Sequence, residues 1–209
     1  MILTRKEMYR RFGKRALDAV SALGGLAILA IPMGIIGLCI KLTSSGPVLF
    51  KQERVGQGGK IFVVRKFRTM TVDHGESSTV TVCGDTRITG FGKFMRRFKL
   101  DEFPQLWNVL MGEMSLVGPR PDVPEYYDRL QGEDRRVLNL RPGITGPSTI
   151  KYSNEEALLA QQADPVRFND RVIFPDKVRI NLEYMDICSF WMDTCWLWKT
   201  LELTFRRRG

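Results

Sequence analysis

Two adjacent carboxylates, Asp101 and Glu102, directly follow a basic stretch of this 209-residue chain. Three cations come just before them: Arg96, Arg97 and Lys99. Adjacent carboxylates at a helix start have an ordinary role, because they cap free N–H groups and suit the helix dipole. The same pair can carry phosphoryl transfer, in which one carboxylate attacks phosphorus to give an acyl phosphate and the other helps to hold a divalent cation. The pair by itself leaves both interpretations open.

A rigid turn, Gly118-Pro119-Arg120-Pro121, follows the carboxylates and favours the second interpretation. The two prolines restrict the backbone on either side of Arg120, and its planar guanidinium donates two parallel hydrogen bonds to a phosphate. A Ser-His-Asp triad or a metal centre with several histidines is disfavoured, because His74 is the one histidine of the chain. A carboxylate nucleophile needs no general base, because it is already ionised near neutral pH.

The elements that position these residues follow from the spacing of apolar and turn residues. Val48–Phe50 and Ile61–Phe67 are predicted strands, and Gly56–Gly59 marks the turn between them. A basic helix over Gly92–Leu100 and a second helix from near Asp101 to Gly112 are predicted next. The hairpin is basic, and its charges either form a solvated edge or line an anion pocket. Further predictions are a polar surface loop over Thr71–Thr89 and short helices from about Asn154 and Pro175.

An apolar run without any charge extends from Ala19 to Ile40. As a straight helix its 22 residues would be about 33 Å long, enough to cross a bilayer. A secretory signal is disfavoured because the run is long and no small-residue cleavage site precedes Lys41. A buried core helix is disfavoured because no polar face interrupts the run.

Pro32 lies just past the middle of this run, where it removes a backbone donor and favours a bend. Both flanks of the run are basic, so the distribution of positive charge does not favour opposite sides of a membrane for its two ends. A helix that enters the bilayer, bends at Pro32 and returns to the cytoplasmic side therefore fits better than a straight span.

The C-terminal segment is aromatic and then basic, with Trp191, Trp196 and Trp198 followed by Arg206–Arg208. Charges at Asp193, Lys199 and Glu202 make a second crossing expensive. The segment is predicted as a helix that either lies at the membrane surface or packs on the core.

The formal net charge of +9 requires an anionic partner, which could be a lipid surface, a phosphorylated substrate or a nucleic acid. No nucleic-acid recognition motif is present, and nucleic-acid binding would leave the apolar run unexplained. The four cysteines, Cys39, Cys83, Cys188 and Cys195, form no CxxC pair and indicate neither zinc nor a disulfide framework.

Taken together, these blocks resemble the small monotopic phosphoglycosyl transferases, or bacterial sugar transferases. The resemblance covers almost the whole chain. It rests on Lys14-Arg15 with Asp18 before an apolar helix interrupted by Pro32, and on the blocks GPVLFKQERVG (46–56), KFRTM (66–70), LDEFPQLWNVLMGEMSLVGPRP (100–121) and RPGITG (141–146).

The resemblance implies an α+β fold on the cytoplasmic face of the bacterial inner membrane. Residues 1–41 would form the basic start and a re-entrant membrane helix. Residues 42–209 would form a small catalytic domain with a β-hairpin and interfacial amphipathic helices. Lys14, Arg15 and Asp18 would orient the helix end at the membrane surface. A homo-oligomer is left open.

The resemblance also implies two-step chemistry. Asp101 would attack a UDP-sugar, release UMP and hold a phospho-sugar, which undecaprenyl phosphate would then accept. Glu102 would bind Mg²⁺ and Arg120 the phosphate, with Lys66, Arg68 and Arg97 as further candidates for the anion pocket. A non-catalytic, membrane-bound basic adaptor is the alternative function, but it gives no reason for the two carboxylates.

One departure from the family pattern bears on the sugar. After Gly146 the chain continues with Pro147-Ser148-Thr149-Ile150 and a helix from Asn154, where many members have an Ala-Gln-Val type of run. This region is expected to shape the sugar pocket, so neither the sugar nor the glycan pathway is identified. A milder departure is Ile31 before Pro32, where some members have a serine.

Overall fold

The structure is a computed structural model that describes residues 8–71 and 87–206. Its helices, in chain order, are α1 (Lys14–Thr43), α2 (Gly90–Arg97), α3 (Gln105–Met111), α4 (Pro147–Lys151), α5 (Glu155–Ala160), α6 (Pro165–Phe168), α7 (Phe174–Ile187) and α8 (Phe190–Arg206). Its strands are β1 (Leu49–Val55), β2 (Ile61–Phe67), β3 (Ser115–Val117) and β4 (Gly143–Thr145). This mixture of helices and small sheets confirms the α+β class.

Shorter helical turns connect these elements. Single π-helical turns, Tyr9–Gly13 and Asn169–Ile173, precede α1 and α7, and 3₁₀ turns cover Gln57–Gly59, Leu100–Glu102, Tyr127–Arg129 and Gly132–Asn139. Most of the predicted loop over Thr71–Thr89, including His74 and Cys83, lies outside the described residues.

Helix α1 contains the whole apolar run and continues through Pro32 as one element of 30 residues. Within the described ranges it is the one helix that is long and apolar enough to cross a membrane, by length and composition. Much of its surface is exposed hydrocarbon, including Ile28 and Ile31, which are 78% and 77% exposed. The bend at Pro32 and the re-entrant path stay predictions.

Both ends of α1 pack on the same domain along one face of the helix. Near its start, Ala22 is buried in a core formed with β2 and α3. Near its end, Ile36 and Ile40 are buried in a second core with Phe67 and Met95. The contact positions recur at helical spacing, so the helix lies along the domain and does not simply project from it.

The start of α1 is joined to the last helix by a buried polar cluster. Lys14 Nζ lies 2.5 Å from Asp193 Oδ2, and the Lys14 and Asp193 side chains are 10% and 2% exposed. Tyr9 and Tyr184 each donate a hydroxyl hydrogen bond to the same carboxylate, over 2.7 Å and 2.5 Å. Asp193, whose charge disfavours a second crossing, is thus the centre of a contact between α1, α7 and α8.

Arg15 and Asp18 hold the same end of α1 through backbone groups. Arg15 donates to the carbonyl oxygens of Val109 and Leu110, at 2.7 Å and 2.6 Å, where α3 ends. Asp18 Oδ1 accepts a hydrogen bond from Leu116 N at 3.0 Å. Lys14, Arg15 and Asp18 therefore have protein partners that hold the start of α1 on the domain. Their role in orienting the helix at a membrane surface stays a prediction.

The hairpin agrees with its prediction, although β1 is longer than Val48–Phe50. The two strands are antiparallel, with Leu49 opposite Phe67 and Val55 opposite Ile61. Helix α2 is displaced from the prediction because it begins at Gly90, after the Thr89 cap, and ends at Arg97. It cannot continue to Leu100, since Lys99 has a left-handed backbone with φ 56°, which turns the chain into the 3₁₀ turn at Leu100–Glu102.

The C-terminal segment forms α8, and its two faces differ. Asp193 is directed inward, whereas Trp191 and Trp198 are 75% and 70% exposed on the outside. One face of α8 therefore packs on the core, and the other leaves indole rings available to a membrane surface.

We expect Asp193→Ala to lower the free energy of unfolding by about 3 kcal/mol, because the Lys14 ammonium would stay buried without its counter-ion. Thermal and denaturant unfolding in nanodiscs would measure the loss. Asp186→Ala is the matched control, since its ion pair with Arg136 is 3.8 Å long and exposed, and it should change the value by less than about 0.5 kcal/mol. Equal effects of the two substitutions would contradict the role given to the buried pair.

Candidate active site

The two carboxylates line one large cleft, with a volume of about 2650 Å³. The sequence elements predicted to act together all reach it: Lys66 and Arg68 from the end of β2, Arg97 from α2, Asp101 and Glu102 from the 3₁₀ turn, and Arg120 from the Gly-Pro-Arg-Pro turn. The cleft therefore brings together residues that are far apart in the sequence.

Glu102 is held by Arg120 and is buried. Arg120 Nη2 donates to Glu102 Oε1 over 2.9 Å, and the Glu102 side chain is 9% exposed. Burial alone would raise the pKa of Glu102, but the charges of Arg120, Lys99 and Lys66 outweigh it and lower the pKa to about 2. Glu102 is thus a permanently ionised carboxylate whose second oxygen is not bound by Arg120.

Asp101 has the opposite character. Burial, followed by the charge of Glu102, raises its pKa, while Lys66, Lys99 and Arg96 act the other way. Its Oδ1 atom is buried and has no hydrogen-bond partner among the described residues. Neither carboxylate acts as the side-chain cap of the neighbouring helical turns, whose cap residues are Lys99 and Pro104 and which have no side-chain cap bond. The capping interpretation thus lacks its hydrogen bond, and an environment that separates the pKa values of two neighbours is typical of a reactive site.

Lys66 is a third charged group of the cleft, close to Arg120 and both carboxylates. Burial, and next the charge of Arg120, lowers the pKa of its ammonium to about 8. Lys66 is therefore an ammonium at neutral pH that loses its proton under mildly alkaline conditions.

Three close-packed glycines position Arg120. β3 and β4 are parallel, with Ser115 opposite Gly143, and Gly118 N donates to Thr145 O over 2.8 Å. A Cβ added to Gly118, Gly143 or Gly146 would overlap backbone atoms of the facing segment. The Gly-Pro-Arg-Pro and Arg-Pro-Gly-Ile-Thr-Gly motifs therefore form one unit, in which the second motif supports the turn that carries Arg120.

The two other residues predicted to bind phosphate, Arg68 and Arg97, do not contact the carboxylate pair in the same way as Arg120. Arg68 is buried and donates to Ser45 O and, over 2.9 Å, to both Ser44 O and Ser44 Oγ, where α1 ends. Arg97 is exposed at the cleft, with its guanidinium carbon 5.8 Å from the centre of the Phe98 ring. Phosphate binding by Arg68 and Arg97 stays a prediction, and Arg68 has a clear second role as a helix cap.

Sequence reasoning missed several charged residues of the cleft. Arg54 Nη1 lies 3.7 Å from Asp122 Oδ1, and Lys177 Nζ lies 2.7 Å from Glu155 Oε1. Arg54 was visible only as one charge of a basic hairpin, and Lys177 gives no signal because it belongs to an ordinary amphipathic helix. Glu155 belongs to the region that departs from the family pattern, and Ser148, Thr149 and Tyr152 of that region also line the cleft.

A divalent cation fits the carboxylate pair. The described residues contain no cluster of three or more metal-ligating side chains. However, Mg²⁺ commonly binds through one or two carboxylates together with substrate phosphates and water. The ionised Glu102, whose second oxygen is not bound by Arg120, supplies an oxygen ligand of that kind, and Asp101 lies beside it.

Comparison with known proteins assigns the chain to a family. The family model described as "Bacterial sugar transferase" matches residues 9–207. This chain belongs to the bacterial sugar transferase family. The match includes the apolar helix, the carboxylate pair and both glycine motifs, so it covers every element of the cleft.

Curated relatives of this bacterial sugar transferase have related names. It is 38% identical over 182 residues to the UDP-glucose:undecaprenyl-phosphate glucose-1-phosphate transferase of Xanthomonas campestris pv. campestris, covering 84% of this chain and 34% of the relative. It is 39% identical over 204 residues to the undecaprenyl-phosphate glucose phosphotransferase of Komagataeibacter xylinus, covering 93% and 35%.

A third relative is shorter. The chain is 46% identical over 149 residues to the putative undecaprenyl-phosphate N-acetylgalactosaminyl 1-phosphate transferase of Bacillus subtilis (strain 168), covering 68% of this chain and 79% of the relative. The chain thus spans about a third of the length of the first two relatives. The sugars in these names differ, so similarity alone does not identify the sugar.

Because burial lowers the pKa of Lys66 to about 8, we expect the affinity of the cleft for a phosphate monoester, with UMP as the probe, to fall as the pH rises through that value and the ammonium loses its charge. The loss should be about tenfold, the size of one charge-assisted hydrogen bond, between about pH 7 and about pH 9.5. The phosphate of UMP is already largely doubly charged above pH 7 and adds little to the change.

Titration calorimetry on the protein in nanodiscs would measure this affinity. Lys66→Arg keeps the positive charge at every pH. This variant should retain the affinity for UMP at neutral pH and should not lose affinity between about pH 7 and about pH 9.5. If Lys66→Arg still lost affinity for UMP over the same pH range, the loss would be caused by the titration of another group.

Proposed function

We propose that this protein transfers a sugar 1-phosphate from a UDP-sugar to undecaprenyl phosphate through a covalent phospho-sugar intermediate on Asp101. The observation that carries the proposal is the pair of buried neighbours in the cleft, of which Glu102 is bound by Arg120 whereas Asp101 Oδ1 has no partner in the described residues. Membership of the bacterial sugar transferase family and the undecaprenyl-phosphate acceptor in the relatives' names support the reaction class.

In the first step an oxygen of Asp101 forms a bond to the β-phosphorus of the UDP-sugar. The bond from that phosphorus to the bridging oxygen breaks, and UMP leaves with the electron pair. Arg120 and Lys66, which flank the carboxylates, stabilise the charge on the non-bridging phosphate oxygens. No general base is needed, because Asp101 reacts as the carboxylate.

In the second step a phosphate oxygen of undecaprenyl phosphate attacks the same phosphorus. The acyl-phosphate bond breaks, Asp101 is regenerated, and the product carries the sugar on a lipid diphosphate. Such a product is the first lipid-linked unit of a membrane glycoconjugate. Asp101 is the nucleophile of the first half-reaction and the leaving group of the second. Both steps occur at the same phosphorus, so one anion site serves both half-reactions.

Bound Mg²⁺ would neutralise phosphate charge and help to align the donor for attack. Glu102 is the residue proposed to hold it, with Asp101 beside it. Arg120 keeps Glu102 in place through its 2.9 Å hydrogen bond. The low pKa of Glu102, about 2, keeps it ionised and available to a cation throughout the physiological pH range.

The packing of α1 supports a re-entrant, monotopic attachment with the catalytic domain on the cytoplasmic side of the inner membrane. Both ends of the helix contact the same domain, at Lys14 and at Ile40. A straight crossing would place those ends on opposite sides of a bilayer about 30 Å thick. The exposed Ile28 and Ile31 face outward from the domain, as a lipid-embedded middle section would require.

We expect Asp101→Asn to lose both the burst of UMP and the covalent adduct, with turnover reduced at least about a thousandfold. The measurement uses protein in nanodiscs with Mg²⁺ and a panel of UDP-sugars, without acceptor, and reads UMP release and intact protein mass. Glu102→Gln should still form the adduct, but slowly, because its nucleophile is intact. Asp134→Asn, at an exposed position outside the cleft, is the control and should behave as wild type.

An adduct on Asp101→Asn would exclude that residue as the nucleophile. If UMP were released only when undecaprenyl phosphate was added, and no adduct formed at any time, direct transfer would replace the covalent route. A non-catalytic adaptor would give neither UMP release nor adduct under either condition.

For the membrane path we expect single cysteines at Arg10 and Lys51 to be labelled from the same, cytoplasmic side. Both positions are exposed in the structure, and the native cysteines would be replaced first. A cysteine at Ile28 should resist a membrane-impermeant reagent from both sides. Labelling of Arg10→Cys and Lys51→Cys from opposite sides would exclude the re-entrant path.

A further inference from the structure

The cleft has an apolar part that the phosphate chemistry does not use. This crevice is bordered by α1 and α8, with α3, β3 and β4 between them. Its apolar residues are Leu29, Leu106, Leu116, Ile144, Leu197 and Leu201. The crevice is continuous with the part of the cleft that holds Asp101, Glu102 and Arg120, since one cavity contains both groups.

Three threonine hydroxyls along the crevice, those of Thr145, Thr200 and Thr204, are hydrogen-bonded within the protein. Thr145 Oγ1 and Thr200 Oγ1 are hydrogen-bonded at 2.6 Å, and Thr204 Oγ1 donates to Thr200 O over 2.8 Å. On the α1 side, the missing side chain of Gly25 makes room for Leu106, whose Cδ1 lies 3.1 Å from where a Cβ would be. This stretch of the surface is therefore suited to a hydrocarbon ligand, because the hydroxyls of Thr145, Thr200 and Thr204 are already paired.

The crevice is bordered by residues suited to lipid contact. Ile28 is next to the lining residue Leu29 in sequence and is 78% exposed. Trp198 is next to the lining residue Leu197 and is 70% exposed. Under the proposed membrane attachment, both flanking helices contact the bilayer, so a ligand can enter between them without crossing water.

The cationic lining of the cleft is carried by other elements. Arg96, Arg97 and Lys99 lie on α2 and just after it. The two proposed substrates differ in the same way. A UDP-sugar is polar along its length and anionic at its diphosphate, whereas a polyprenyl phosphate joins one phosphate to a long hydrocarbon chain. Only the acceptor offers hydrocarbon to the crevice.

We infer that the crevice between α1 and α8 binds the isoprene units of the acceptor nearest its phosphate, and that the lipid enters laterally from the bilayer. The acceptor phosphate then reaches Asp101 from the β3–β4 side of the cleft, while the nucleotide-sugar lies against the cationic residues of α2. This assignment rests on the proposed function. It specifies which side of the shared cleft each substrate contacts. It also explains why the apolar helix α1 forms part of the wall of the cleft.

The test compares two identical substitutions on one helix. Thr204 lines the crevice, and Thr194 is exposed outside the cleft. Each hydroxyl donates to the carbonyl oxygen four residues earlier, over 2.8 Å and 2.9 Å. Thr204→Phe and Thr194→Phe therefore remove the same local bond and add the same ring, and they differ in whether the ring enters the crevice.

The two half-reactions are measured separately, first the UMP burst without acceptor and then transfer of phospho-sugar to undecaprenyl phosphate. We expect Thr204→Phe to keep a normal burst and to raise the KM for undecaprenyl phosphate about tenfold, because displaced isoprene units lose apolar burial. Thr194→Phe should leave both quantities within about twofold of wild type. Leu201→Trp, at a half-exposed lining position, should reproduce the effect of Thr204→Phe.

Equal KM values for Thr204→Phe, Leu201→Trp and Thr194→Phe would overturn the assignment. A lowered UMP burst in both Thr204→Phe and Leu201→Trp, with unchanged thermal unfolding, would indicate that the crevice binds the nucleotide-sugar. That outcome would also overturn the assignment. Failure of the proposed function is distinguishable, because wild-type protein would then show no UMP burst at all.

Discussion

The buried ion pair of Lys14 and Asp193 joins the first described helix to the last, and the arrangement of the cleft depends on it. Two ions taken from water recover little net free energy when they pair, but an ion left without its partner costs several kcal/mol. The pair therefore acts mainly through specificity, because an alternative docking of α1 would bury Lys14 or Asp193 alone. An apolar helix makes few directional contacts, so these polar anchors define which of its faces meets the domain.

The reactive pair depends on a different principle, the unequal treatment of two neighbouring carboxylates. Arg120 holds Glu102 as an ion, whereas Asp101 has an oxygen without a partner in the described residues. The left-handed turn at Lys99 separates the pair from α2, and the packed glycines of β3 and β4 fix the turn that carries Arg120. Backbone geometry thus produces the asymmetry, while the side chains supply the charge.

Much of the fold was predictable because its signals are local. The hairpin follows from two β-rich runs around Gly56–Gly59, and α3 ends at Gly112, which has the positive φ of 84° expected of a helix stop. The grouping of Asp101, Glu102 and Arg120 was also predicted. It followed partly from the rigid Gly-Pro-Arg-Pro turn after the carboxylates and partly from the family resemblance. What the sequence does not reveal is long-range pairing. Lys14 with Asp193 joins positions 179 apart, and no local pattern indicates that Arg68 serves a helix end.

The cap that Arg68 places on α1 has a consequence for how deep the active site lies relative to the bilayer. Carbonyl groups at the end of a helix have no partner within the helix, and Arg68 bonds those of Ser44 and Ser45, just after α1. Lys66 of the cleft is two residues away along the same chain, a reach of about 7 Å at most. Under the proposed membrane attachment, the depth of α1 in the bilayer and the height of the cleft above it are therefore coupled. A bilayer that drew α1 deeper would lower the reactive carboxylates with it, so the catalytic level follows the membrane surface and not the bulk solvent.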